Sequence, residues 1–523
     1  MAERFENSSK SATVWEDYRR WASVALAGEV SHAERGLRTL LDLVSEDSLR
    51  ARIHNDLGVL ATLQEQFALA ADEFSAAVTN DPAWAVPSTN WDRLPIQYRR
   101  RAYAASRRTR IAIISLLFNW PSTGGGTIHT AETARFLTRA GYDVQHLVLS
   151  QSEWSVGQIT DATDWPITQL EFSADQWHQH EIQKRVRQAV RKFSPDFAIL
   201  TDSWNFKPRL AEALDGVPYF LRLAAQECLC PLNNVRLLFD TEQQFRSCPK
   251  HQLATPSDCA ACVHQHNHCS GSLHQAERAL AGFHGADYNA SLRNSFAEAT
   301  GVLVVNPLIA ELVKPYSKAV HVVPSGFDPA RFPWSDAGKP ASSEKLQILF
   351  AGLVAEPMKG FEVLHAACRE LWSQRRDFEL LATADPPGSL DEFTTLIGWQ
   401  SQAELPATIR RADLVVCPTI AEEALGRTAV EAMAAARPIV ASRIGGLTFT
   451  VLDEATGLLF EPGNPADLAR QLGRLLDDPE LRERMGTAGH RRFHEHYTWD
   501  VIIDQHYRRL FGPTIRQQVE GRL

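Results

Sequence analysis

The sequence lacks any long apolar run, and this absence argues against a membrane-spanning helix. Apolar segments such as 346–354 are far shorter than the ~20 residues that a membrane-spanning helix needs. The first residues, from Met1 to Asn7, are polar and do not contain the apolar core of a signal peptide. The sequence therefore predicts a cytoplasmic protein without a transmembrane segment.

The sequence also lacks an excess of basic residues. Its 54 lysines and arginines are outnumbered by 63 aspartates and glutamates, which gives a formal net charge of −9. A nucleic-acid-binding protein usually carries a basic stripe, so we expect no nucleic-acid partner. One arginine-rich stretch, Arg99–Arg110, is interpreted as part of a solvated linker.

A chain of 523 residues is long enough for about three domains. Residues 1–14 are interpreted as a polar tail, residues 15–90 as a helical module, and residues 91–108 as a linker. Gly58, Ala70, Phe74 and Pro82 fall at the spacings of a tetratricopeptide repeat. A plain helical hairpin is the alternative. A repeat of this kind would suggest that the module binds a protein or peptide, such as an acceptor, or that it joins copies of the chain into a homo-oligomer.

The rest of the chain alternates strand-like and helix-like segments, which predicts parallel, doubly wound sheets. Arg110–Phe118 is a continuous apolar run of the kind found in strands buried on both faces. A glycine-rich loop to Gly126, a helix and a second strand follow, and the pattern restarts at Leu346. We expect α/β domains at 109–335 and 336–498, and a terminal helix at 499–523 that crosses back to the first domain.

The second α/β domain contains the most specific motif. Its strand Leu414–Cys417 is followed by a loop that carries Glu423, and then by a helix that begins near Arg427 and carries Glu431. Ligands of open parallel sheets bind at the carboxyl ends of the strands. A helix that starts after Gly426 offers backbone N–H groups to a phosphate. Glu431, one turn into this helix, can accept hydrogen bonds from ribose hydroxyls.

Glu423 and Glu431, separated by seven residues, resemble the double-glutamate motif of the retaining family 4 glycosyltransferases. Segments 411–418, 437–442 and 456–463 resemble the same family in order and spacing. Lys359-Gly360 resembles its phosphate-binding lysine. The resemblance covers roughly residues 109–512 and is most specific in the second domain. It implies an α/β protein of GT-B fold, with two Rossmann-like domains facing a cleft, here preceded by an all-α helical module.

The resemblance also implies a reaction and a set of residues. The reaction is retaining transfer of a hexosyl or N-acetylhexosaminyl group from a UDP- or GDP-sugar to an unknown acceptor, without a catalytic metal. The catalytic candidates are Glu423, which would contact the donor sugar, Lys359, which would neutralise the diphosphate, and His129. The expected donor-binding residues are Gly125, Gly126, Lys359, Gly398, Thr419, Glu423, Leu425, Gly426, Arg427 and Glu431.

Several positions depart from the family pattern. Leu353 stands where an arginine is common, so either one positive partner of the diphosphate is missing or Arg427 or Arg443 replaces it. No histidine precedes the Cys-Pro step of the first domain, and Gln226 or Glu227 is expected in its role. These departures leave two alternatives open. One is a catalytically inactive GT-B scaffold or adaptor, and the other is a sugar-nucleotide 2-epimerase.

Six of the eight cysteines fall between Cys228 and Cys269, in a polar insertion at 228–270. In a chain expected in the cytoplasm, clustered cysteines favour metal binding over disulfides. Cys259 and Cys262 have the spacing with which two thiolates hold a tetrahedral ion. The candidate ligands are Cys248, Cys259, Cys262 and Cys269, for a structural zinc, with iron as second choice. Competing ligands are Cys230, His264, His266 and His268, and free thiols are the alternative to a metal site.

Overall fold

The computed structural model describes residues 2–81, 83–91, 93–94, 108–122, 124–240, 244–333 and 345–512. The chain divides into two compact units, Met1–Thr109 with Pro513–Leu523, and Arg110–Gly512. No helix in the described ranges is long and apolar enough to cross a membrane.

The first unit is built from helices. They are Ala2–Leu26, Val30–Leu41, Asp47–Leu63, Phe67–Asn80 and Ala85–Trp91. Close packing depends on small residues, because a Cβ at Gly58 would lie 2.6 Å from the ring of Phe74. Phe74 is buried between the helices. Pro82, which the sequence analysis placed at the end of the second repeat helix, lies outside the described residues. The tetratricopeptide assignment stays a prediction.

A buried carboxylate links three helices of this unit. Glu73 accepts a hydrogen bond from Arg38 Nη1 at 3.0 Å, and its other oxygen lies 2.8 Å from His54 Nδ1. Glu73 is 7% exposed, so these partners compensate for its loss of water. The contact fixes the second, third and fourth helices relative to one another.

The second unit contains two sheets of seven strands. The first sheet has the order β3-β2-β1-β4-β5-β8-β9, and its strands are parallel. These strands are β1 Arg110–Ser115, β2 Asp143–Ser150, β3 Ile167–Glu171, β4 Phe197–Thr201, β5 Tyr219–Leu223, β8 Gly301–Val304 and β9 Val320–Val322. Between β5 and β8, Leu237–Phe239 (β6) and Phe245–Ser247 (β7) form an antiparallel hairpin.

The second sheet has the order β12-β13-β11-β10-β14-β15-β16, and its edge strand β12 is antiparallel to β13. The strands are β10 Leu346–Phe350, β11 Phe378–Ala382, β12 Gly388–Ser389, β13 Thr394–Leu396, β14 Leu414–Cys417, β15 Ile439–Ser442 and β16 Gly457–Phe460. In each sheet the strand order reverses beside the first strand, β1 or β10. Ligands of open α/β sheets bind at such a reversal, outside the carboxyl ends of the strands.

Helices connect the strands of both sheets. The part of the second unit that carries the first sheet is called its first half, and the part that carries the second sheet its second half. The helices of the first half are Gly125–Arg139, Gln179–Phe193, Lys207–Ala211, Pro256–Gln265, Ser272–Leu280, Tyr288–Glu298 and Pro307–Val313. In the second half they are Phe361–Trp372, Leu405–Arg411, Arg427–Ala434, Leu447–Thr450, Pro465–Asp477, Pro479–His496, Trp499–Ile502 and Arg508–Phe511, with a π-helical turn at Ile503–Tyr507. Single 3-10 turns lie at Ala174–Gln176, Asn267–Cys269, Lys314–Tyr316, Pro329–Arg331 and Pro357–Lys359.

The segment after Thr498 packs against the first sheet and its helices. Trp499 is fully buried and stacks on Phe136, with ring centroids 5.1 Å apart. A Cβ at Gly326 would lie 2.4 Å from the Trp499 ring, so the indole fills the space beside that backbone. Further along, the Tyr142 hydroxyl donates a hydrogen bond to the carbonyl of Gly512 at 2.8 Å. The end of the second domain is thus fastened to the first.

Replacing Trp499 with alanine should lower the free energy of unfolding by about 3–5 kcal/mol, because it leaves a large cavity in a packed core. Trp399→Ala is the matched control, since Trp399 is 39% exposed and should cost less than about 1 kcal/mol. Urea titrations followed by circular dichroism would measure both changes. Equal losses in the two variants would contradict the packing role of Trp499.

Candidate functional site

The carboxyl ends of the two sheets line one cavity of about 660 Å³. From the first half come the residues after β1 and β4, the start of the helix Gly125–Arg139, and the residues after β5. From the second half come the ends of β10 and β14 and the loop that leads to the helix Arg427–Ala434. A cavity of this size and position accommodates a small organic ligand.

Lys359 and Glu423 meet in this cavity. Lys359 Nζ donates a hydrogen bond to Glu423 Oε2 at 3.1 Å. The Glu423 carboxylate raises the pKa of Lys359, so the ammonium stays charged. The turn that carries Lys359 is held by Thr419, whose hydroxyl donates to the Met358 carbonyl at 2.9 Å. Thr419 is itself buried at the cavity wall.

Glu431 lines the cavity from the helix Arg427–Ala434 and is 3% exposed. Burial raises the pKa of its carboxyl, whereas the nearby Arg427 and Arg331 lower it. The helix begins at Gly426, which has φ of 78°. A Cβ at Gly426 would lie 2.4 Å from the side chain of Leu447, so a larger residue does not fit at this helix start. Leu425 and Gly426 both line the cavity.

Arg427, rather than Arg443, brings a second cation to the cavity. Arg427 lines it beside Gly125, where an added Cβ would lie 2.9 Å from Arg427 Cδ. The Arg427 guanidinium lies 4.3 Å from the centroid of the Phe327 ring, and its Nη1 is buried without a hydrogen-bond partner in the described structure. Arg443 instead pairs with Asp453 at 2.6 Å and is not part of the cavity wall.

Glu132 holds Arg427 from across the cleft. Its two carboxylate oxygens lie 3.5 Å from Arg427 Nη2 and 3.7 Å from Arg331 Nη1. Glu132 belongs to the helix Gly125–Arg139 of the first half and is 5% exposed. The carboxylate therefore joins the two halves of the unit through Arg427, and Arg331 is its second cationic neighbour.

The glycine-rich loop of the first half opens this helix. Gly125 and Gly126 line the cavity, and a Cβ at Gly126 would already be in van der Waals contact with Ala224. His129 lines it one turn later but is 2% exposed. Arg222 Nε donates to His129 Nε2 at 3.1 Å. Burial and the charge of Arg222 lower the pKa of His129, which keeps the imidazole neutral.

The predicted Gly398 lies next to the cavity. It has φ of 78°, and the next two residues, Trp399 and Gln400, line the wall. The two candidates near the Cys-Pro step are both engaged. The Glu227 carboxylate accepts hydrogen bonds from the backbone of Ala224 and Ala225, and Gln226 Nε2 donates to Glu422 Oε2 at 2.6 Å.

Asp202 is a cavity residue that the sequence analysis missed. It directly follows β4, has φ of 41°, and accepts a hydrogen bond from the Ser115 hydroxyl at 3.0 Å. Burial raises the pKa of its carboxyl to about 7, against the opposing effects of Thr130, Ser115 and Lys207. The sequence could have indicated Asp202 by its position directly after a parallel strand, because ligands of such sheets bind at the carboxyl ends of the strands.

The predicted metal site is not supported. All eight cysteines are free thiols. Among the described residues, no group of three or more His, Cys, Asp or Glu side chains is arranged to hold a metal ion. Cys259 and Cys262 lie on the helix Pro256–Gln265, whereas Cys269 Sγ faces the carbonyl of Phe239 at 3.6 Å. Burial raises the pKa of the Cys259 thiol to about 12.

Residues 389–492 match the sequence model of a family described as "Glycosyl transferases group 1". A D-inositol 3-phosphate glycosyltransferase of Arthrobacter sp. (strain FB24) is 35% identical over 203 residues, which are 34% of this chain and 48% of the relative. A 2-deoxystreptamine glucosyltransferase of Streptomyces kanamyceticus is 33% identical over 37% of this chain and 56% of the relative. The chain thus matches about half the length of these curated relatives.

Solved structures match a larger share of the chain. A sucrose-phosphate synthase from Thermosynechococcus elongatus superposes with a TM-score of 0.53 at 20% identity, covering 77% of this chain and 99% of the other. Anabaena Alr3699/HepE, in complex with UDP-glucose, gives a TM-score of 0.53 at 14% identity and the same coverage. At these identities the likeness shows the fold alone. The fold is GT-B, as the sequence resemblance implied.

Proposed function

We propose that this protein is a retaining glycosyltransferase that uses a nucleotide-sugar donor. The observation that carries the proposal is the convergence of Lys359, Glu423, Arg427 and Glu431 on one cavity at the carboxyl ends of two parallel sheets. The match of residues 389–492 to group 1 glycosyltransferases supports it. The names of the relatives and the UDP-glucose bound to Anabaena HepE make UDP-glucose the first donor to test.

The donor would lie mainly on the second half of the unit. Glu431 would accept hydrogen bonds from the ribose, and the base would lie near Trp399 and Gln400. Lys359 and Arg427 would bind the diphosphate, together with the backbone N–H groups at the helix start after Gly426. Arg427 would then supply the positive charge that the family pattern places at position 353.

The reaction needs charge stabilisation at the leaving group. When the bond between the anomeric carbon and the phosphate oxygen breaks, its electron pair stays on the nucleoside diphosphate. Lys359 and Arg427 would stabilise that negative charge, which is the largest contribution in many enzymes. The acceptor hydroxyl bonds to the anomeric carbon on the face that the nucleotide leaves, and its proton would pass to the departing phosphate oxygen on that face, so the configuration is retained. Glu423 would hold the sugar hydroxyls in this arrangement.

Asp202 would contact the acceptor hydroxyl from the first half of the unit. It lines the cavity beside Glu227 and close to Lys207, and its pKa is raised to about 7 by burial. A carboxylate at this position accepts a hydrogen bond from a hydroxyl, whereas the protonated acid does so poorly. His129 is less suited to the task, because its Nε2 already accepts a hydrogen bond from Arg222.

We retain the proposal that the helical module binds the acceptor, as a protein or peptide. Its support is the pattern of paired helices in the first unit, where Phe74 fills the space beside Gly58. Helix pairs of this type present binding surfaces when they are stacked.

Glu431→Ala should weaken UDP binding at least about tenfold, or roughly 1.4 kcal/mol, because it removes the proposed ribose acceptor. Isothermal titration calorimetry with UDP measures this. Glu461→Ala is the control, since Glu461 is 65% exposed and pairs with Arg443 away from the cavity. If Glu431→Ala binds UDP as the wild type does, the proposed donor site is wrong. If no nucleotide binds to the wild type, the inactive scaffold is the better description.

Hydrolysis of UDP-glucose should rise with pH through about pH 7 as Asp202 loses its proton. Asp202→Asn should abolish this rise of kcat/KM with pH, whereas the control Asp161→Asn, at an exposed position, should keep it. Rates between pH 5 and 9 with saturating and limiting donor would measure the profile. If kcat/KM of Asp202→Asn rises with pH as that of the wild type does, a group other than Asp202 is responsible for the pH dependence.

Removing residues 1–90 should abolish transfer to a protein acceptor and leave UDP-glucose hydrolysis within about twofold, since the cavity belongs wholly to the second unit. The comparison uses lysate proteins as acceptors and radiolabelled UDP-glucose as donor. Full transfer by the truncated chain would show that the helical module does not bind the acceptor.

A further inference from the structure

The loop that carries Glu423 is held by the cysteine-rich insertion through the neighbouring residue Glu422. Glu422 Oε2 accepts a hydrogen bond from Gln226 Nε2 at 2.6 Å and from Arg236 Nη2 at 2.9 Å. Glu422 follows β14 of the second sheet, whereas Gln226 and Arg236 follow β5 of the first. The contact therefore crosses the cleft beside the cavity.

The ion pair between Arg236 and Glu422 is shielded from water. The Arg236 side chain is 7% exposed and that of Glu422 is 27% exposed. Arg236 Nε is buried without a hydrogen-bond partner in the described part of the chain. A guanidinium placed this deeply is costly unless a carboxylate faces it, and screening by salt is weak at such a site.

The backbone of the insertion fixes both donors. The carbonyl of Arg236 accepts a hydrogen bond from the N–H of Cys248 at 2.8 Å, and Arg236 itself has φ of 48°. Gln226 donates its N–H to the carbonyl of Asn234 at 3.0 Å, and its own carbonyl accepts from Cys230 at 3.3 Å. The two side chains that hold Glu422 are therefore set by the fold of the cysteine-rich segment.

The opposite side of the loop is held by backbone and amide contacts. The N–H of Gly446 donates to the Glu423 carbonyl at 2.6 Å, and Asn306 Nδ2 donates to the Ala424 carbonyl at 2.6 Å. A Cβ at Gly445 would lie 2.6 Å from the Glu423 carbonyl oxygen, so glycine is needed for this close approach of the two backbones. Glu422 adds a charged side-chain contact to the residues that follow β5.

We propose that the cysteine-rich insertion acts as a clamp on the donor loop, with Arg236 as its positioning residue. The clamp rests on the proposed donor site. Arg236 keeps Glu422 turned away and neutralised, so that Glu423 faces Lys359 and an anionic diphosphate meets no unpaired carboxylate at the cleft. This gives the insertion a role that needs no metal ligand.

Arg236→Ala should weaken UDP-glucose binding about tenfold or more and raise KM by more than it lowers kcat, because Glu422 then keeps only the uncharged Gln226 as partner and its negative charge is no longer neutralised beside the proposed diphosphate site. Arg236→Lys should lose less, since it keeps the charge. The double variant Arg236→Ala/Glu422→Gln should regain most of the affinity, because the repulsive charge is gone. Arg246→Ala, an exposed arginine of the same insertion, is the matched control and should bind as the wild type does.

Calorimetry with UDP and UDP-glucose, steady-state hydrolysis and circular dichroism melting are measured on all five proteins. Unchanged binding in Arg236→Ala overturns the clamp. So does a double variant no better than the single one, because the loss would then come from lost packing rather than from the charge of Glu422. Absence of nucleotide binding in the wild type overturns the proposed function together with the clamp, whereas normal binding with an unaffected Arg236→Ala overturns the clamp alone.

Discussion

Close approach of backbone segments around the loop 421–426 is the constraint on which the site depends. A Cβ at Gly446 would lie 1.9 Å from the Ala424 carbonyl oxygen, and one at Gly360 would lie 1.9 Å from that of Pro418. Only glycine fits such distances, so these positions bring three separate turns into contact. As a result Lys359 and Glu423, 64 residues apart in sequence, form an ion pair at the carboxyl ends of the strands.

The charges in and beside the cleft are paired with one another. Lys359 is paired with Glu423, Arg427 with Glu132, and Arg236 with Glu422. Two of these three pairs join opposite halves of the unit. A diphosphate would compete with Glu423 and Glu132 for the two cations of the cavity, but it does not reach Arg236. In the proposed donor site, the two pairs that line the cavity would exchange partners with the donor, whereas the pair in the insertion would keep holding the loop 421–426.

The sequence was sufficient for the fold, and it singled out residues that line the cavity, such as Glu423 and Glu431. Continuous apolar strands and glycine-bearing helix starts predicted the doubly wound sheets, and the fold comparison confirmed GT-B. The strand β3 was missed, because an edge strand with mostly exposed side chains has no apolar run. The sequence could not show whether Arg427 or Arg443 brings a cation to the cavity. In the structure, Arg427 lies beside Glu132 at the cavity, whereas Arg443 pairs with Asp453.

Contacts between residues far apart in sequence explain what the sequence could not show. Glu422 and Arg236 are 186 residues apart, and neither belongs to a motif. Cysteine spacing suggested a metal, yet in the structure the insertion contacts the loop 421–426 through Arg236, beside Gln226, which precedes the insertion. Because the insertion follows β5, at the edge where the strands end, it borders both the loop 421–426 and the side of the cavity that holds Asp202. In the proposed function, a segment so placed would adjust the fit of donor and acceptor while both sheets stay unchanged.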